Sequence, residues 1–250
     1  MSGSRCRRKE GTSPIMFILV VVICIVLVLE LTVPRIIASQ LEDAIESSVD
    51  KIESVRVRLR AFPAINLLSS GAVNSISIDC RGLFIEGLRI ESLMIDASDI
   101  LIQREALAEK SSLVLSHIGQ GQAEVVLTED DLTSYVRGLD GVPDSVLVEL
   151  NPGQVTVRGH VNVAGMDIPV ELEGEFVAEQ GGACLSYAIS HIRIGNAMLP
   201  SIITDGFLSG LSFSLDMSSL PIPVVISDVN MEDKIVRIIG RTLSDNRESM

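Results

Sequence analysis

Residues Ile15 to Leu29 form an unbroken apolar run of fifteen positions, and no other feature constrains the folding of this chain as strongly. With Leu31, Thr32 and Val33 the run reaches 19 positions, interrupted only by Glu30. A membrane-spanning helix needs about 20 residues. The run has no polar face, so a soluble core helix with one solvated side does not fit it. Glu30 falls near the far interface, where a carboxylate reaches water. Arg5, Arg7, Arg8 and Lys9 precede the run, so the positive-inside bias holds the N-terminus in the cytoplasm and sends the chain beyond Val33 outward. A cleavable signal needs a small-x-small site. Glu30 to Arg35 offers none, and Ile37-Ala38-Ser39 lies far downstream with a bulky Ile at its first position. Cys24 follows a bulky Ile23 and the run continues past it, unlike a lipoprotein signal. The reading is a single-pass cell-membrane protein: residues 1–14 a cytoplasmic basic N-terminus, 15–33 an uncleaved transmembrane signal anchor, 34–240 an extracytoplasmic domain, 241–250 a polar tail.

Charge excludes some functions. The 250 residues carry 20 Lys+Arg and 33 Asp+Glu, a net charge of −13, with no Trp and eight Phe plus Tyr. Basic surface and stacking rings, the usual means of binding nucleic acid, are both lacking. Leaving out the four leading basic residues with Glu10 and Glu30, the exported part holds 16 basic against 31 acidic residues, or −15. Such a surface is repelled by anionic lipid, so any contact with anionic headgroups needs a local basic feature. Ile, Val and Leu dominate the exported part. Branched aliphatics suit strands, and they either fill a core or line a cavity for aliphatic chains.

Periodicity outlines the domain. Ile37, Leu41, Ala44, Ile45, Val49 and Ile52 recur at three- and four-residue steps, which predicts a helix over Ile36–Ile52. Val55, Val57 and Leu59 then alternate with Arg56, Arg58 and Arg60, a strand with one apolar and one basic face. Pro63 opens a short helix through Leu68, closed by Gly71. Strands run through Ser75–Cys80 and Leu83–Ile102, with Gly87 a bulge or turn. A short helix at Gln103–Glu109 precedes strands Leu113–Ile118 and Gln122–Leu127, with Gly119 and Gly121 between them. Thr128 caps a helix whose first turn holds Glu129, Asp130 and Asp131. Four more strands (Ser145–Leu150, Gln154–Val163, Ile168–Glu179, Ala183–Ile194), a helix at Leu199–Leu208 and a hairpin of Ile222–Val229 with Lys234–Ile239 complete an α+β domain of mostly antiparallel strands.

No signature of catalysis emerges, and the chain is read as a non-enzyme with no cofactor and no metal. His117, His160 and His191 sit in three different predicted strands without a partner at metal-ligand spacing. Glu129-Asp130-Asp131 lacks the spacing and the Gly of a calcium loop and is explained by the helix start. There is no nucleophile elbow, P-loop or nucleotide fingerprint. Cys80 and Cys184 are the exported thiols, either paired or simply buried. Arg56, Arg58 and Arg60 stand out, three guanidiniums pointing one way in an acidic domain. They either pair across the sheet with acids such as Asp79 or Glu86 or attract lipid phosphates at a cavity mouth.

The order of several motifs carries a resemblance: Val33-Pro34-Arg35, the alternating Arg strand, Phe62-Pro63, Asp79-Cys80-Arg81-Gly82-Leu83, Gly87-Leu88-Arg89-Ile90-Glu91-Ser92-Leu93, Leu127-Thr128-Glu129-Asp130-Asp131-Leu132 and Leu220-Pro221-Ile222-Pro223. Across about residues 33–240 the chain resembles the bacterial DUF2993, or LmeA-like, phospholipid-binding proteins. The resemblance implies a fold related to tubular lipid-binding (TULIP-like) domains, with a long curved antiparallel sheet wrapped around a few helices beside an apolar groove. It implies binding of phospholipid or another acyl-chain lipid in the cell envelope and supplies no catalytic residues to transfer; the expected service is lipid transport or envelope maintenance. Val55, Val57, Leu59, Ile76, Ile78, Leu88 and Ile90 are the candidates for the groove, and Arg56, Arg58 and Arg60 for the headgroup. The alternative is an envelope scaffold or assembly protein with a packed sheet core and no lipid.

Overall fold

The computed structural model describes residues 14–102, 115–139, 142–163, 165–195, 197–200, 214–217 and 224–242. One helix, α1 (Pro14–Ser48), contains both the apolar run and the amphipathic stretch after it. From Met16 to Leu29 no side chain is buried, whereas Ile37, Leu41 and Ile45 are. The domain-facing stripe begins at Glu30, Val33 and Pro34, which are half-buried, and continues at helical spacing through Leu41 to Ile45. Pro34 has no N–H for the Glu30 carbonyl, yet the helix runs on through it.

The first sheet has the order β1-β2-β3-β4-β12-β11, all antiparallel. Its strands are β1 (Ser54–Arg60), β2 (Ala72–Ile85), β3 (Leu88–Ile102), β4 (Leu115–Thr128), β11 (Val224–Glu232) and β12 (Ile235–Thr242). Register places alternating aliphatics side by side: Val57 faces Ile78, which faces Ile95, which faces Ala123, and the next row is Cys80, Leu93, Val125 and Ile238. All eight are buried, so one face of the sheet is core and the other solvated. Helix α1 covers the edge at β1, where the Glu42 carboxylate accepts the Val57 N–H at 2.7 Å. Helix α2 (Ala64–Ser70) ends at Gly71, whose left-handed φ of 73° lets its N–H reach the Leu67 carbonyl.

Helix α3 (Glu129–Arg137) starts as the sequence predicts, with Thr128 Oγ1 accepting the Asp131 N–H at 3.2 Å and donating to Asp131 Oδ2 at 2.6 Å. It leads to the second antiparallel sheet of β5 (Leu147–Asn151), β6 (Gln154–Val163), β7 (Met166–Glu179), β8 (Cys184–Ile194), β9 (Ala197–Pro200) and β10 (Ser214–Asp216), ordered β10-β8-β7-β6-β5 with β9 also on β8. The sheets meet where β11 touches β5 and β7 and the Lys234 N–H donates to the Leu150 carbonyl at 3.2 Å. The architecture is α+β, as the alternation predicts, with the strands divided between two sheets.

Three local expectations change. Gly119 and Gly121, expected between two strands, stand inside β4, because their missing Cβ atoms leave room for neighbours: a Cβ at Gly121 would fall 2.4 Å from Thr242 Oγ1. Ala197–Pro200 is strand where a helix from Leu199 is expected, and the remainder of that helix lies outside the described residues, as do the short helix at Gln103–Glu109 and the basic leader. Arg241 and Thr242 belong to β12 and pair with the sheet, so the polar tail begins later than residue 241.

Cys80 and Cys184 are both free and buried, one in each sheet. Burial, and then the nearby Asp79 charge, pushes the Cys80 thiol up from near 9 to about 11. The unfolded thiol therefore ionises first. Its contribution to stability is complete below pH 9 and is lost as pH rises toward 11. Denaturant unfolding of the full chain in detergent should show a steeper loss between pH 9 and 11 than the Cys80→Ala variant shows.

Candidate functional site

The basic face of β1 is open. Arg56, Arg58 and Arg60 are exposed on the solvated side of the first sheet, opposite Asp79, Ser77 and Ser75 respectively. Cross-strand pairing does not hold them: Asp79 instead lies 3.9 Å from Arg81, and none of the three arginines has an acidic partner among the described residues. Three guanidiniums two residues apart, with no acidic partner among the described residues, are unusual in so acidic a chain. They remain free to meet an anion.

Two of them, Arg58 and Arg60, line a concavity of about 860 Å³ on this outer face. Arg241 of β12 reaches the same space across three intervening strands, and Asp96 is the one acid in its lining. Most of the other lining groups are Ser and Gln side chains and strand glycines, and three arginines against one aspartate make the basin a net attractor of anions. A guanidinium offers a planar fork of donors that suits phosphate, and the surrounding hydroxyls and amides can share its remaining oxygens. Sequence reasoning missed Arg241. The signal was present, because Val236, Ile238, Gly240 and Thr242 alternate inward and leave Arg241 facing out with the basic strand.

The basin has a definite place. Arg60, Ser75 and Gln120 belong to the end of the sheet that adjoins α2, whereas the hairpin joining β2 to β3 lies at the opposite end. At the α2 end the Glu30 carboxylate accepts the Ala64 N–H through both oxygens, each at 2.9 Å. Glu30 directly follows the apolar run of α1. The basin is thus built at the end of the domain next to that run.

The apolar candidates lie on the opposite face of the same sheet. Val57, Ile76, Ile78, Leu88 and Ile90 are buried, between 0% and 5% exposed, while Val55 and Leu59 are half-buried along the seam with α1. They share one core with Ile37, Leu41 and Ile45. A separate cavity under α3, lined by Leu132, Val148, Leu172 and Phe176 among others, measures about 40 Å³. That is room for about one water, whose share of liquid volume is ~30 Å³.

The other residues weighed for chemistry have structural surroundings. His160 is exposed on β6, and exposed His191 on β8 contacts Ser190 Oγ at 3.1 Å. His117 is in β4, and its side chain lies outside the described residues. Among the described residues no group of three His, Cys, Asp or Glu is placed to hold a metal. Glu129 accepts the Leu150 N–H at 2.9 Å, and Asp131 is bound to Thr128 and to Arg89.

The motif residues behind the resemblance converge in space. Arg89 reaches Glu91 at 2.7 Å, Asp131 at 3.0 Å and Glu53 at 3.0 Å, tying β3, α3 and the lead into β1 together. Gly82 makes this possible: it sits at φ 57°, and a Cβ there would lie 2.2 Å from the Glu53 side chain. The clasp is architectural, and the open basic face lies apart from it. Comparison with known families matches the chain, over residues 29–241, to the family described as LmeA-like phospholipid-binding. No curated protein and no solved structure matches the chain. With most of its length covered by that match, the chain belongs to the LmeA-like phospholipid-binding family.

Proposed function

We propose that this chain is a membrane-anchored, non-enzymatic protein of the cell envelope that binds phospholipid or another acyl-chain lipid on the extracytoplasmic side. The observation that carries the reading is the open face of Arg56, Arg58 and Arg60, joined by Arg241, in a chain of net charge −13 whose family is described as phospholipid-binding. The four arginines meet the headgroup. Val55, Val57, Leu59, Ile76 and Ile78, with Leu88 and Ile90 farther along, supply aliphatic surface to the chains. The two sets lie on opposite faces of an edge strand, so the bound lipid straddles β1 and its chains displace Ile37, Leu41 and Ile45 of α1. Each buried methylene returns about 0.8 kcal/mol, so several are needed to offset that packing.

Anchoring is supported by α1, the helix among the described residues long and apolar enough to cross a membrane. Cleavage after the run would remove Glu30 from Ala64 and, at Ser39, would take Ile37 out of the core. The basic leader orients the domain outward. A service in lipid transport or envelope maintenance follows from a lipid site held at the membrane surface.

A packed inner face is also what an envelope scaffold would present, and the burial of Ile76, Ile78 and Ile90 favours that second reading. Mass spectrometry of lipid co-extracted with the detergent-purified full chain separates them. Near-stoichiometric phospholipid is expected. A folded protein free of lipid would overturn the lipid reading in favour of the scaffold.

A further inference from the structure

We infer that Phe62 is a second membrane contact: the loop between β1 and α2 dips into the lipid interface beside the anchor and sets the tilt of the domain on the bilayer. The inference rests on the anchoring part of the proposed function and not on lipid binding.

The argument begins with length. Fifteen residues at 1.5 Å rise span only about 22 Å, short of a hydrocarbon core of ~30 Å. Upstream the chain offers only Glu10, Gly11, Thr12, Ser13 and Pro14, so the span extends downstream over Leu31 to Val33. Those 19 residues reach about 28 Å and draw Glu30 into the boundary region. Glu30 meets this by giving both carboxylate oxygens to the Ala64 N–H at 2.9 Å. The start of α2 is therefore held at the depth of Glu30.

Phe62 lies two residues before Ala64 and is 78% exposed, the most exposed of the large apolar side chains among the described residues. Its N–H is fixed to Asn74 Oδ1 at 2.7 Å, so the ring is displayed from a tethered backbone. Six Phe and no Trp serve the whole chain, and leaving such a ring in water forgoes its burial. At the depth Glu30 imposes, the interface covers it. Leu31, the residue after Glu30 and 61% exposed on α1, adds apolar surface at that level.

The test uses the full chain reconstituted in phosphatidylcholine vesicles. Because the protein has no Trp, Phe62→Trp supplies a single reporter, and Leu147→Trp, at a site 49% exposed on β5, supplies the control. Leu147 is three residues from Leu150, which is bonded to Lys234 at the sheet end far from α2. Emission from Phe62→Trp should be blue-shifted, quenched by lipids brominated near the headgroup, and several-fold less sensitive to iodide than the control. Adding Glu30→Ala should shift that signal toward the control. Identical emission and iodide quenching for the two reporters, in a chain that resists alkaline carbonate extraction, would overturn the inference while leaving the anchor intact. Release of the chain by carbonate would overturn the anchor, and the inference with it.

Discussion

Replacing Arg89 by Met should destabilise the domain by about 3 kcal/mol or more, the cost of leaving a buried carboxylate without its partner. Among the described residues Arg89 is the one cation shared by Glu53, Glu91 and Asp131, and the Asp131 side chain is only 8% exposed. Its guanidinium is held well above its ordinary pKa by the hydrogen bonds to Glu91 first and Asp131 second, the sign of a cation its surroundings require. Met fills similar volume but leaves three carboxylates facing one another across β3, α3 and the chain before β1. Arg89→Lys keeps one charge and loses the fork, so a smaller loss is expected. Combining Arg89→Met with Asp131→Asn should recover part of the loss, because the buried charge is gone. Urea unfolding of the four proteins in detergent measures each effect. Equal stability of Arg89→Met and the parent would show that the clasp holds nothing.

Much of this arrangement is legible in the sequence, and the part that is not has identifiable causes. Alternation of Val55, Val57 and Leu59 with three arginines places β1 and its two faces correctly, because period two leaves no freedom once one face is buried. Thr128 before three acids marks the start of α3 for the same local reason. Gly119 and Gly121 mislead because a glycine that makes room for Thr242 looks, in one dimension, like a glycine that turns the chain. The convergence of Gly82, Arg89 and Asp131 is invisible for another reason. They are joined by long-range packing, and only their order along the chain, as motifs, hints at it. Glu30 likewise reads as a flaw in an apolar run until Ala64 arrives beside it. The basin shows both sides: Arg58 and Arg60 announce it, while alternation along β12 turns Arg241 outward and the pairing of β12 with β4 brings it to the basin.

The basic face should separate anionic from neutral lipid. Each basic side chain near an anionic surface contributes about 1 kcal/mol, fading within a Debye length of ~8 Å at physiological salt. Replacing Arg56, Arg58 and Arg60 together by Gln should then cost up to about 3 kcal/mol of preference, roughly a hundredfold. The measurement is the ratio of anionic to neutral phospholipid retained by the full chain from mixed-lipid nanodiscs, at low and high salt. A large fall at low salt, a small one at high salt and unchanged retention of neutral lipid are expected. Adding Arg241→Gln should deepen the low-salt fall, since it lines the same basin as Arg58 and Arg60. Thermal stability should hardly move, because these exposed arginines have no acidic partners to lose among the described residues, in contrast to Arg89. Equal loss of both lipid classes would mean that the arginines hold the sheet together. No change in either would make them ordinary surface charge and leave the acidic domain without a means of meeting an acidic headgroup.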